Sequence, residues 1–411
     1  MNKNKLVPWL VMVCIGLTSA ACIGAVMGLF SFFITVISRK LAIPMSILSY
    51  YYTVIVLVMA VMMPIIPKIL DKVSAKLIYT SISIIISIMM FLMAYFTKVW
   101  MFFIAAAVLG VCVSFVSFVP VGIILDNWFV SQKGLAIGIC WGIGSVFNCL
   151  TSPIFSNLIT KVGYQKSLFI LAIVVAILSI PSSLLGIYFS PQKLGLKPFG
   201  YKKTSNFENK TIELEKSTQN IFRTKTFWIL GILMVLIQFP AVFNQLVPTY
   251  SIQSGFGLSV GGVMISSAML FDIVLNPLVG VTCDKFGAER ASIAWFVLVI
   301  ISYVLLLVST AMKLTFLAIF AVGLNDIISV FLGTGITSLA VSLLGKSNFA
   351  KGFSLVSSIS FIIGAFAMPV NSLIAERMNG FNSVFTFWII ILIALIILTY
   401  LGKYCCSKEN K

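Results

Sequence analysis

The chain has 411 residues, of which 60% are apolar, 13% aromatic and 9% charged, where an average soluble domain carries roughly a quarter charged residues. The apolar character runs the whole length with no polar half, which excludes both an ordinary soluble protein and a soluble enzyme on a single membrane anchor. Histidine is absent, so imidazole-based metal sites, proton shuttles and Ser/His/Asp catalysis are excluded as well.

The formal charge of +17 fits a membrane protein that keeps Lys and Arg in short cytoplasmic loops, and nucleic acid is not an expected partner. The bilayer is the expected partner, with the chain a monomer and no cofactor. The eight cysteines form no CxxC and no metal spacing and read as small hydrophobes. Cys405 and Cys406 directly follow the last apolar run, where lipid modification would be sterically open.

Hydrocarbon about 30 Å thick takes about 20 apolar residues of helix per crossing. Windows of that size predict twelve spans, at 9–37, 46–66, 77–97, 100–125, 133–158, 167–188, 226–250, 260–281, 291–311, 314–343, 352–374 and 381–402. At the first of them, Lys3, Lys5 and Ser19-Ala20-Ala21-Cys22 imitate a cleavable signal. The apolar run continues to Ile37, too long for a signal core, so a retained span is expected.

The only extended polar segment, residues 190–225, holds eight of the 28 basic residues and three of the eleven acidic ones. It divides the spans six and six, giving an N-terminal bundle at 1–189, a linker loop at 190–225 and a C-terminal bundle with a short tail at 226–411. With Met1 in the cytoplasm, 21 basic residues fall on that side and 7 on the other. The bias predicts cytoplasmic termini and a cytoplasmic linker in a bacterial-type plasma membrane. The sequon at Asn209 would then go unused.

The two halves repeat each other. Asp71, Lys72 and Lys76 follow the second span, and Gly280, Asp284, Lys285, Gly287 and Arg290 follow the eighth, with the aspartates 213 residues apart. Lys133 opens the fifth span and Lys351 the eleventh, 218 apart. Each pair sets charges at the ends of neighbouring helices, where ion pairs and helix dipoles can latch one conformation as gating motifs.

GxxxD(R/K)xG followed by bases, after spans two and eight of a six-plus-six protein, resembles the signature of the major facilitator superfamily. The second copy matches it well; the first carries Pro67 and Ser74 where glycines are usual. Pro8-Trp9, Trp128-Phe129, Lys133 to Gly138, the Pro191, Gly195 to Gly200 tail of span six and Phe227-Trp228 are similar to the bacterial monocarboxylate and oxalate/formate antiporter-like branch. The resemblance implies the major facilitator fold: all-α integral membrane, twelve transmembrane helices in two pseudo-symmetric six-helix bundles. It further implies a central cavity lined mainly by spans one, two, four, five, seven, eight, ten and eleven, and transport by alternating access. The function implied is secondary active transport of a small organic solute, a monocarboxylate or similar.

Two acids remain inside the predicted spans: Asp272 in span eight and Asp326 in span ten. Twelve residues from each predicted outer end, at 1.5 Å per residue, place both about 18 Å deep. An ionised carboxylate there costs at least ~2.5–3.5 kcal/mol, and no basic residue is near in sequence to offset it. Such acids are better tolerated protonated in a closed cavity and release the proton when water enters, which is what a proton-coupled carrier needs. Asp272 and Asp326 are therefore the expected proton-coupling residues. Asn276 lies one turn after Asp272 on the same face. In the resembling family segment that position is an arginine that grips a substrate carboxylate, so Asn276 here points toward a protonated acid, a neutral solute or a cation. Further candidate substrate-binding residues are Tyr51, Tyr52, Asn148, Gln238, Asn244, Gln245 and Asn325, each of which can serve instead as interhelical glue. Trp141, Gly142 and Gly144 read as helix-packing positions.

Three other functions compete. Phe271-Asp272 and Gly323-Leu324-Asn325-Asp326 are distantly similar to the YD and GxGD motifs of intramembrane aspartyl proteases, in which paired aspartates share a proton. Asn325 in place of glycine, the lack of a following Pro-Ala-Leu and the six-plus-six repeat oppose that reading. A receptor with a transporter-like body would be expected to carry an appended soluble domain. Within transport, proton-coupled efflux of hydrophobic or cationic compounds is the alternative.

Overall fold

The computed structural model describes residues 3–200 and 224–409; residues 201–223, which hold most of the expected linker and the sequon at Asn209, lie outside the described residues. Among the described residues twelve helices are long and apolar enough to cross a membrane. Among the described residues the only β feature is one isolated bridge, between Phe129 and Phe199. The spans keep to the apolar windows within a few residues, the first running continuously as Leu6–Lys40. Contacts group the chain into two compact units, Met1–Asn206 and Phe207–Lys411.

In the first unit the spans are Leu6–Lys40, Met45–Met62, Ala75–Met93, Val99–Trp128, Leu135–Val162 and Tyr164–Gly186. Span one packs on spans five and six, span two on four, and span three on six. The second unit holds Lys225–Gln253, Leu258–Phe286, Ala288–Met312, Thr315–Leu344, Leu355–Arg377 and Gly380–Cys405. There span seven packs on eleven and twelve, and span eight on ten. Residues such as Leu185, Ile177 and Ile390 stay exposed on the outside of these bundles, as surfaces solvated by lipid require.

The two copies of the charged repeat turn differently, and glycine is the reason. In the second copy the chain passes from span eight to span nine through Gly287 alone, at φ 85° and ψ 141°, a conformation open essentially only to glycine. In the first copy a short helix, Ile66–Lys72, follows span two, and the turn then takes two extended residues, Val73 (φ −110°) and Ser74 (φ −60°). Serine stands where glycine is usual because the longer turn needs no positive φ. Asp71 and Lys72 therefore sit on a short helix, and Asp284 and Lys285 lie in the last turn of span eight.

Several spans are interrupted near their middles. Span one contains a π-helical stretch, Gly24–Leu29. Span four breaks at Ser117, whose ψ of −178° is extended and whose hydroxyl donates to the Ser114 carbonyl at 2.7 Å. Span seven breaks at Val242, just after Pro240. Span ten breaks at Asp326 and re-forms through a π-helical turn, Phe331–Gly335. Such interruptions survive at membrane depth only where protein or water satisfies the freed backbone. Asn371 of span eleven does this for span seven, donating to the Phe239 carbonyl at 2.8 Å while its own carbonyl accepts from Trp388 at 3.1 Å.

Candidate functional site

Spans seven, eight and ten of the second unit bring four polar residues together. The interruption of span ten turns Asp326 inward, leaving it 2% exposed. Its Oδ1 accepts a hydrogen bond of 2.7 Å from Nδ2 of Asn244, which lies just past the break in span seven. Its Oδ2 has no hydrogen-bond donor. The carboxyl of Asp272, from span eight, and the hydroxyl of Ser329 lie close to it. Asp272 is half-buried and is held by Nδ2 of Asn276, which reaches its Oδ1 at 2.9 Å and its backbone carbonyl at 3.0 Å.

The chemistry of this group follows from its inventory. An ionised carboxylate is an acceptor only, so two carboxyls in hydrogen-bonding contact require that one of them carry a proton. Each acid already has one carboxamide donor, and residues 226–284 and 314–345 contain neither Lys nor Arg. Asp326 is closed off while Asp272 keeps some exposure, so the outer acid gives access to the inner one. Such an arrangement can hold one proton between two carboxyls and pass it outward through Asp272.

The remaining expected residues fall into different surroundings. Asn325 is buried and donates to Ser302 of span nine at 3.0 Å. Gln238 donates to Ser360 of span eleven at 3.2 Å and lies directly against Gly364, which makes it a tie between spans seven and eleven. Gln245, next to Asn244, keeps a buried carbonyl oxygen without a donor. In the first unit Tyr51 is fully buried, its ring 4.5 Å from that of Phe30 and 5.2 Å from that of Tyr52. Asn148 donates to Gly144 at 3.1 Å, and its side-chain oxygen rests against Gly24 and Gly28 of the π-helical stretch. These glycines, one turn apart, form a small-xxx-small groove that sequence reasoning passed over although the spacing shows it. Gly142 and Gly144 were expected to pack against a helix, but both face open space and the close glycine contacts to span five are made by span one. A bulge in span one, not small residues in span five, creates that approach.

Of the gating positions, Lys72, Asp284, Lys285, Gly287 and Arg290 are exposed at helix ends. Gly280 is half-buried in span eight, and Lys76 lies 6.0 Å from the ring of Tyr188. The side chains of Asp71, Lys133 and Lys351 lie outside the described residues. Sequence reasoning also missed Glu289, which accepts a hydrogen bond from Ser342 of span ten. Likewise unforeseen was a clasp joining three separated motifs: Trp9 meets the rings of Phe129 and Phe199 at 5.1 and 5.7 Å. There Phe199 N donates to the Trp128 carbonyl at 2.8 Å, and Val130 N donates to the Phe199 carbonyl at 3.0 Å.

Residues 16–329 match the Major Facilitator Superfamily. The chain belongs to that superfamily. A solved structure of the nucleoside transporter NupG has a TM-score of 0.71 at 15% identity, covering 98% of this chain and 99% of its own. A bacterial homolog of the human lysosomal transporter Spinster, in an inward-facing and occupied conformation, scores 0.66 at 12% identity, covering 98% and 96%. No curated protein matches the sequence. At such identities the likeness is one of fold. As a superfamily member, the protein is an integral membrane transporter for a small molecule and not an enzyme. The aspartyl protease alternative is thereby set aside.

Proposed function

We propose that this superfamily member is a proton-coupled secondary transporter of a small polar organic solute, in which Asp272 and Asp326 together hold the coupled proton. One observation carries the reading: Oδ2 of buried Asp326 has no hydrogen-bond partner among the described residues, and the carboxyl of Asp272 lies close by. A fixed charge pair would explain burial without coupling, but the stretches that carry these acids, residues 226–284 and 314–345, contain no Lys or Arg. Protonation is what remains to balance them, and a proton is exchangeable.

The solute class follows from the same inventory. Two carboxyls and two carboxamides, with no Lys or Arg in the contributing segments, suit a solute that offers hydrogen-bond donors. An ionised monocarboxylate, which the sequence motifs imply, lacks a bidentate cationic partner at Asn276. A neutral, donor-rich solute fits better, and nucleosides, named for one structural neighbour, are of that kind. A second reading, efflux of cationic compounds, is favoured by the uncompensated acidity itself. The charge bias orients both termini toward the cytoplasm of a bacterial-type plasma membrane, and transport proceeds by alternating access with the chain as a monomer.

The test is reconstitution in proteoliposomes with an imposed pH gradient, after a thermal-shift panel of nucleosides, sugars, carboxylates and cationic amines. Gradient-driven movement of a stabilising solute, lost in Asp272→Asn, is expected. Transport indifferent to the gradient would overturn the coupling.

A further inference from the structure

At one end of the second unit, spans nine and twelve frame a cavity of about 490 Å³ lined by Glu289, Arg290, Ile293, Tyr400, Lys403 and Tyr404. Its bases, Arg290 and Lys403, are both exposed. Its single acid, Glu289, accepts a hydrogen bond from the Ser342 hydroxyl, and two bases against one acid leave the lining with a net positive charge. The lining residues also begin two longer rows. On span nine, Val297, Ile301 and Val304 continue the line of Arg290 and Ile293 at helical spacing. On span twelve, Ile397, Ile393 and Ile390 continue the line of Tyr404 and Tyr400. All six of these aliphatic residues are exposed, between 42% and 61%.

A cationic hollow that opens onto two exposed aliphatic stripes matches one kind of molecule. Its head must be anionic and small, and its body must be apolar and long. We propose that this cavity seats the headgroup of an anionic phospholipid, with the phosphate between Arg290 and Lys403 and the acyl chains along the two aliphatic rows. An aqueous anion would use the bases alone, whereas a lipid uses both the bases and the lipid-facing rows that adjoin them. A zwitterionic lipid would bring its own cation to a site that already has a surplus. Tyr400 and Tyr404 stand at the end of span twelve, the kind of position at which aromatic residues mark the membrane interface. The end concerned is also the one to which the charge bias assigns the cytoplasmic leaflet, where anionic lipids attract clustered bases.

The full chain, purified in detergent, is titrated with dispersed phosphatidylglycerol, phosphatidylcholine or inorganic phosphate, and the thermal unfolding midpoint is followed. Phosphatidylglycerol should raise the midpoint, and the other two should leave it in place. The double variant Arg290→Gln/Lys403→Gln should need about tenfold more phosphatidylglycerol for the same shift. A charge-matched control, Lys161→Gln/Lys166→Gln at exposed positions of the first unit, should behave as wild type. Should the double variant fail to purify as a single species, Lys403→Gln alone, at an exposed side chain, replaces it. Equal shifts by the two lipids, reproduction of the shift by inorganic phosphate, or equal loss in the control would each overturn the assignment.

Discussion

Asn244 on span seven donates to Oδ1 of Asp326 on span ten across 2.7 Å, and the other oxygen of that carboxyl has no donor among the described residues although Asp272 lies close by. The amide supplies a donor that needs no proton from the medium; the second oxygen has none. One carboxyl thus has a permanent partner on one side and an exchangeable one on the other.

Replacing either acid by its amide separates folding from coupling. In Asp326→Asn the new NH₂ donates toward Asp272, so the variant should fold and insert as wild type while gradient-driven transport in proteoliposomes is abolished. Asp326→Ala, which leaves Asn244 and Asp272 without their partner, should also melt earlier. Retained pH dependence in Asp326→Asn would remove the pair from the mechanism.

Asn244→Ala takes away the permanent donor. An unsatisfied buried acceptor costs about 1–3 kcal/mol, so the detergent melting midpoint should fall by several degrees. Transport should then proceed from a less acidic donor compartment, because a carboxylate that has lost a donor to its charged form takes up its proton more readily. An unchanged midpoint and pH profile would show that the 2.7 Å contact has no energetic role.

Asn276→Arg converts a neutral donor beside Asp272 into a cation. If the cluster meets the solute, the preference in a competition assay should move toward carboxylates, and the proton requirement should weaken as the arginine neutralises Asp272. No change in either would place the solute elsewhere.

At the charged repeats the two turns should respond in opposite senses. Gly287→Ala forces a side chain into a glycine-only conformation and should cost about 1–3 kcal/mol. Ser74→Gly relaxes nothing and should change stability by under about 1 kcal/mol. Melting curves of the two variants decide this, and equal effects would refute the account of why serine replaces glycine in the first copy.

The number and placement of spans were legible because each crossing is a long apolar run, and lipid allows little else. Interruptions within those runs were not. Ser117, Val242 and Asp326 break helices whose hydropathy continues unbroken, since the break answers to neighbours distant in sequence. The Asp272 to Asn276 contact could be read from helical spacing. The Asn244 to Asp326 contact spans 82 residues and depends on both breaks. Gly24 and Gly28 were readable as a packing groove, but that Asn148 fills it was not.

The splice of Phe199 onto Trp128 and Val130, weighted down by Trp9, carries a practical implication. Gly200 follows at φ 82°, and a β-carbon there would run into Ser131. The polypeptide leaving span six is thus sewn to the foot of span four before it departs, and tension applied beyond residue 200 is delivered to residues 128–131 instead of to span six alone. Any half-protein expressed by itself would have to keep that stitch, and cutting upstream of it would leave three helix ends unmoored.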